Sequence, residues 1–373
     1  GSTTFSGCEN SGNIIYEPTD SDQNVSGIAM GGIVAFTEDK KSISISECEN
    51  SGNIVYNVGK AAVATVAVGG VVGLAQSGTV VTGCTNTSDS TIGGKGDSGL
   101  YLGLGGIVGM TSRGGAKIID CKNYGTISQT DTNAKKPEKT GNILTNGYGF
   151  GGIVGIARST QEISGCENWG PISLANTNYG SSFTVRFSVG GVIGWYFHQD
   201  ASDPAGTRNK TIKNCANYYD LTFTARAGKY YAGGVIGCIT TFENANHYWS
   251  EISGLKNVAN LTFDVGYVAG ADYALGGIIG NAEAYSKHTN YNGKEFIAID
   301  NCTFYGDLVI REGEGREDFV QMNELGIFMG CDRTAGLHIA TNSKVGGMII
   351  CKTENIMVDP GSVDEGILPT YKD

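Results

Sequence analysis

Two short elements alternate along almost the whole chain, and nothing else in the sequence limits its fold so tightly. One is Gly-Gly-(Ile/Val)-(Val/Ile)-Gly, at residues 31–35 (ending in Ala35), 69–73, 105–109, 151–155, 190–194, 233–237 and 276–280, with a degenerate copy at 325–328. The other is Cys-x-Asn, usually followed by a Gly and then an Ile. It begins at Cys8, Cys48, Cys84, Cys121, Cys166 and Cys215, and continues in weakened form at Leu255-Asn257 and Cys302. A repeat of about forty residues is the signature of stacked units that cannot bury their own apolar face alone.

Between the elements lie short alternating or β-branched runs, such as residues 42–46 (Ser-Ile-Ser-Ile-Ser), 53–56, 63–68 and 221–224. These read as strands by period and composition. Glycine supplies 58 of 373 residues, which argues against helix, where each glycine costs about 1 kcal/mol. The expected fold is all-β: a parallel β-helix, or β-solenoid, of about eight coils of three strands over residues 1–334. Its hand is taken as right by analogy with the usual parallel crossover. Residues 335–373 hold no further Cys-x-Asn unit and are expected to form a degenerate C-terminal capping segment.

Stacking in register gives the repeated residues their roles. Paired glycines mark a corner too narrow for side chains. The recurring Asn is expected to form an amide ladder along the rod. Seven of the ten cysteines occupy one repeat position. Their Cβ atoms would lie about 4.8 Å apart with parallel vectors, unsuited to a disulfide, so buried free thiols are expected. Zinc is disfavoured because no Cys-x-x-Cys pair is present.

Formal charge is 26 − 37 = −11 with no basic cluster, which excludes nucleic acid as a partner on electrostatic grounds. No apolar run reaches the length of a membrane span. No signal peptide opens the sequence, and further domains are expected N-terminal to it.

The Gly-Gly-Ile-Val-Gly core with Cys-x-Asn-x-Gly-x-Ile downstream resembles the GLUG-motif repeats of large surface and secreted bacterial proteins, including predicted adhesins of gut Bacteroidetes. The likeness covers residues 7–330. It implies an extracellular or outer-membrane-anchored protein, a lipoprotein among the possibilities, with an adhesive or glycan-binding role. It carries no catalytic residues to this chain.

Function in solenoids sits where repeats differ. From the first glycine of each Gly-Gly element to the next Cys position, the spacing is 17, 15, 16 and 15 residues, then 25, 22 and 26. Three consecutive coils therefore carry extra chain at one corner, at residues 195–211, 238–252 and 281–298. Aromatic residues collect there. Trp195, Tyr196, His198, His247, Tyr248, Trp249, Tyr285, His288 and Tyr291 are the candidate ligand-binding residues, with Asp200, Asp203, Asn244, Asn246, Glu283 and Lys287 interspersed. Rings that stack on pyranose faces beside polar groups that read hydroxyls suit a host or dietary glycan, or a surface protein. The alternative for the same residues is a local satellite core. The three histidines have neither fixed spacing nor a carboxylate partner, so no metal, cofactor or catalytic residue is assigned. Two other classes remain open: a structural stalk or spacer of a larger surface protein, and a polysaccharide lyase or glycoside hydrolase on a β-helix.

Overall fold

The structure is a computed structural model. It describes residues 1–18, 25–39, 41–57, 63–96, 100–112, 115–130, 147–174, 186–198, 210–225, 229–241, 250–265, 272–284, 297–312, 320–322, 324–326, 329–333, 338–341, 343–346, 348–351 and 356–358. The expected parallel β-solenoid is what forms. Each coil contains five strands rather than three, as in Thr79–Thr82, Thr85–Asn86, Thr91–Lys95, Tyr101–Gly105 and Val108–Thr111. Stacked in parallel, these positions build five sheets, here A to E in that order. Sheets A, B and C have nine strands each, and D and E have eight. The difference from three strands has two causes: Cys-x-Asn makes a two-residue strand of its own, and the double glycine folds one expected strand into D and E.

Register is exact from coil to coil in the sense that matters for the core. Ile45, Val81, Ile118, Ile163, Ile212 and Ile252 lie in one column, and Asn10, Asn50, Asn86, Asn123, Asn168, Asn217 and Asn257 in another. A side-chain period of two makes such columns possible, since a slip by one residue would turn every isoleucine to solvent.

The asparagines form the expected ladder. Each Nδ2 donates to the Oδ1 of the next coil, at 2.7 Å from Asn10 to Asn50 and 2.8 Å from Asn86 to Asn123, and the series runs to Asn257 at 2.9 Å. Asn123 shows why an amide is needed. Its Nδ2 also donates to the Gly125 carbonyl (3.0 Å), and its Oδ1 accepts from the Gly125 N–H (3.2 Å) and from Asn86. Every hydrogen-bonding site of the amide is thus filled inside a buried bend. The second glycine of the Gly-Gly element faces this ladder across the core: a side chain at Gly106 would overlap the Asn123 amide and the Gly152 carbonyl. The two sequence elements are therefore two sides of one contact.

The bend between sheets A and B leaves a signature. In the first eight coils the residue before the Cys position is left-handed, with φ of 60° at Gly7, 54° at Glu47, 63° at Gly83, 53° at Asp120, 64° at Gly165, 54° at Asn214, 64° at Gly254 and 53° at Asn301. Glycine, asparagine and aspartate tolerate that region, whereas a longer side chain is strained there.

The cysteine column is made of free thiols, buried from Cys48 onward, with Leu255 in the same place in the seventh coil. Each S–H donates to the carbonyl two residues back, at 3.2 Å from Cys121 to Ile119 and 3.3 Å from Cys166 to Ser164. Burial pushes the Cys302 thiol up to about 11, so it stays protonated and inert at neutral pH.

The main core fills the space inside the coil. A second, smaller cluster, which includes Ala67, Met110, Ile156, Trp195, Phe197 and Tyr231, lies between sheets D and E. At Gly109 the two sheets approach so closely that a Cβ would overlap the Val68 backbone. Beyond residue 334 the ladder continues: His338–Thr341, Lys344–Val345 and Ile349–Cys351 pair in parallel with Ile297–Asp300, Thr303–Phe304 and Leu308–Glu312. Part of the segment expected to cap the rod is a ninth coil. Its sequence hides this because Ser343 stands at the Cys position and Val345 at the Asn position, with the Ser343 hydroxyl accepting from the Cys302 N–H at 3.2 Å.

Glu47 is the one left-handed bend residue with a long side chain. Glu47→Gly is expected to raise stability by up to about 1 kcal/mol, the relief of left-handed strain exceeding the added freedom of the unfolded chain. A raised thermal midpoint checks this, and a lowered one contradicts the bend's account.

Candidate functional site

At the insertion edge of coils 5 to 7 the described members of the expected patch lie on strands. Strand E is lengthened there, to Ile193–His198, Ile236–Thr241 and Ile279–Ala284, against Val72–Ala75 and Val108–Thr111 earlier in the rod. Trp195 and Tyr196 are consequently strand residues with 0% and 1% exposure, not surface loop residues. Tyr196 points into the main core, and its hydroxyl donates to the Thr160 carbonyl at 3.2 Å. Trp195 points between sheets D and E, over Gly147, where an added Cβ would lie 2.7 Å from the indole. His198 ends the strand. His247, Tyr248, Trp249, Tyr285, His288 and Tyr291 lie outside the described residues, as do Asp200, Asp203, Asn244, Asn246 and Lys287.

Glu283 is also a strand residue, and it belongs to a buried polar seam that the sequence reading missed. It pairs with Arg186, which is 2% exposed and two coils away. Arg186 Nη1 donates to Thr240 Oγ1 at 2.8 Å, and Trp195 Nε1 donates to the same oxygen at 2.9 Å. Glu283 Oε1 accepts from the Tyr231 hydroxyl at 3.0 Å and from Asn281 Nδ2 at 2.9 Å. The guanidinium lies 5.2 Å from the Trp195 ring and 5.6 Å from the Tyr231 ring. In the same seam, burial pushes the Cys238 thiol up to about 12. This network ties strand D of one coil to strand E of the two that follow, at the edge from which the three long connections leave.

A different surface presents aromatic rings to solvent. The residue after the ladder Asn, at the turn from sheet B to sheet C, is Ser11, Ser51 and Thr87 in the first coils and then Tyr124, Trp169 and Tyr218. Tyr124 is 39% and Trp169 41% exposed. Trp169 stacks on Tyr218 with centroids 4.0 Å apart and planes at 14°. Tyr124 is 6.4 Å from Trp169 at 21°. Since coils rise about 4.8 Å, that spacing displaces Tyr124 sideways by about 4 Å and leaves part of the indole face uncovered.

The polar neighbours are fixed. Trp169 Nε1 donates to Glu167 Oε2 at 3.1 Å, and the same oxygen meets Lys122 Nζ at 3.2 Å. Burial works against the Glu167 carboxylate, but the indole N–H and Lys122 outweigh it and hold it below its usual range. The hydrogen bond from Lys122 to Glu167, with the carboxylate's charge, pushes the ammonium up. Lys256 closes the far end of the stack, 5.2 Å from the Tyr218 ring. The corner therefore offers an indole face, an ionised acceptor and ammonium donors within one small area. That combination suits recognition of a polyhydroxylated ring. The signal was present in the sequence as a switch from small to aromatic residues at one repeat position, but it is invisible when aromatics are counted by segment.

Among the described residues no group of three or more His, Cys, Asp and Glu side chains is placed to hold a metal ion, and no helix is long and apolar enough to cross a membrane. Compared with known proteins, the chain matches no family model, no curated protein and no solved structure.

Arg186→Ala is expected to lower stability by about 3–5 kcal/mol, because it strands the Glu283 charge in the seam. The double change Arg186→Met, Glu283→Leu should restore part of that loss. Denaturation midpoints of the three proteins check this, and an Arg186→Ala protein as stable as wild type would show that the pair does not brace the two sheets.

Proposed function

We propose that this chain is a non-catalytic glycan-binding module of an extracellular, cell-surface adhesin, with a host or dietary glycan as its partner. The observation that carries this reading is the corner of exposed Tyr124 and Trp169 with half-buried Tyr218, whose central indole is only partly covered by the offset Tyr124 ring and lies beside Glu167 and Lys122. A buried ring needs no explanation beyond packing, whereas exposed large rings grouped with oriented polar groups mark a recognition surface. The corner is also stiff. Its rings project from the bends that the asparagine ladder holds, so little conformational freedom is lost when a ligand docks.

The resemblance of the repeats to GLUG-motif proteins supports the surface location and adhesive role. Glu167, held ionised by its two donors, is suited to accept hydrogen bonds from sugar hydroxyls and not to protonate a leaving group, which favours binding over hydrolysis at this corner.

A glycan array with wild type, Trp169→Ala and Trp249→Ala tests the reading. Wild type should bind at least one saccharide class. Trp169→Ala should weaken that binding by about tenfold or more, the usual cost of removing a central aromatic contact, with thermal midpoint unchanged. Absence of any saccharide bound, or binding indifferent to Trp169→Ala, would remove the proposal. Loss in Trp249→Ala alone would move the site to the insertion edge.

A further inference from the structure

We propose that the outer face of sheet C in coils 1 to 4 carries a second saccharide subsite, so that the ligand is an extended, unbranched glycan chain, of the kind a β-1,4 linkage gives, spanning the subsite and the aromatic corner. This rests on the glycan-binding reading above. The observation behind it is a groove of about 340 Å³ on that face, within the size range of small-ligand sites.

Two consecutive glycines of Thr91–Lys95 create the groove. Gly93 stands in the outward column of Ile15, Val55 and Ser128, and Gly94 in the inward column of Tyr16, Tyr56 and Gln129. The Tyr56 ring occupies the place of a side chain at Gly94, and its hydroxyl donates to Gln129 Oε1 at 2.6 Å. Tyr56 is fully buried, so the floor beneath Gly94 is fixed from below, while at Gly93 the lack of a side chain lets the Ser128 backbone come so close that an added Cβ would overlap its carbonyl.

The walls differ in chemistry. On one side stand Val55 and Ile15, the latter 65% exposed and the most exposed large hydrophobic residue described. Ser128 and Thr130 stand on the other, with Lys95 and Glu17 at the rim, where Asn57 Nδ2 holds a Glu17 carboxylate oxygen at 3.1 Å. An apolar wall opposite hydroxyls and a rim of one positive and one negative group match a neutral pyranose, which has an apolar C–H face and a hydroxylated edge.

Tyr124, at the turn from sheet B to sheet C, and Ser128, in the strand Thr126–Thr130 of the same coil, are four residues apart and so at most about 13 Å from each other along the chain. A single unbranched, extended chain can therefore touch both, whereas a disaccharide reaches one. Joining two weak contacts in one ligand raises affinity without any new contact.

The test titrates wild type, Ser128→Phe, Lys95→Ala and Trp169→Ala with a β-1,4-linked glucose hexasaccharide and with its disaccharide by calorimetry. Circular dichroism and thermal midpoints confirm that each variant is folded. A phenylalanine on the outer face of a strand suits sheet structure while filling the groove. Wild type should bind the hexasaccharide about tenfold or more tighter than the disaccharide. Ser128→Phe and Lys95→Ala should remove most of that advantage and leave disaccharide binding at the corner intact.

Hexasaccharide affinity unchanged in both groove variants but lowered in Trp169→Ala would overturn the subsite and leave the corner standing. Loss in the groove variants with Trp169→Ala unaffected would keep the groove as a saccharide site and overturn the corner. Wild type binding neither sugar would overturn the assignment of this glycan class.

Discussion

Seven asparagine amides hydrogen-bonded end to end determine this molecule more than any apolar contact does. Six of the seven amides bond the backbone two residues on, a glycine at Asn10, Asn50, Asn123 and Asn168, Tyr219 at Asn217 and Ala259 at Asn257, and interior members such as Asn123 also join the coils on both sides. The Gly-Gly corner can be as narrow as it is because the amides on the opposite wall are flat, and the amides can lie there because the corner has no side chains. Remove either partner and a buried polar row loses its mates, at a cost the thin Gly-rich coils have little apolar area to offset.

Most of this frame was legible in the sequence. A repeat of two alternating elements specified stacked parallel coils, and stacking specified the amide ladder and the free thiol column. The alternation of left-handed bend residues was equally visible in Gly83, Asp120, Gly165 and Asn214, one place before each cysteine, yet it needed the φ angles to be seen as one feature. The ninth coil was hidden because Ser343 and Val345 keep the backbone pairing without the side chains that define the motif. Backbone ladders tolerate such loss. Motif matching does not.

The functional surface was harder to read, for a physical reason. A repeat tells which residues share a column, but non-repeated residues take the side that local strand length gives them. Trp195, Tyr196 and Glu283 seemed to belong to a loop because the Gly-Gly to Cys spacing grows there; instead strand E lengthens and buries them, Trp195 and Glu283 between two sheets and Tyr196 in the main core. Trp169 lay in a column that could have been read, since it turns from serine and threonine at residues 11, 51 and 87 to an aromatic ring at Tyr124. Arg186 and Glu283 meet across two coils, a pairing that no local pattern announces. The result is a rod whose interior is uniform and whose individuality lies in a few places: the exposed corner, the groove beside it and the braced edge of coils 5 to 7.

The amide ladder is tested most directly by cutting it in the middle and at its edge. Asn123→Ala removes the acceptor of the Asn86 amide, leaves Asn168 Oδ1 with only the Gly170 N–H, and strips the Gly125 bend of its amide, so it should lower stability on the order of 3 kcal/mol, whereas Asn10→Ala, whose amide contacts only one neighbouring coil, should cost less than about 1 kcal/mol. Denaturation midpoints that fall in that order support the account. Equal and small shifts for the two substitutions would contradict it.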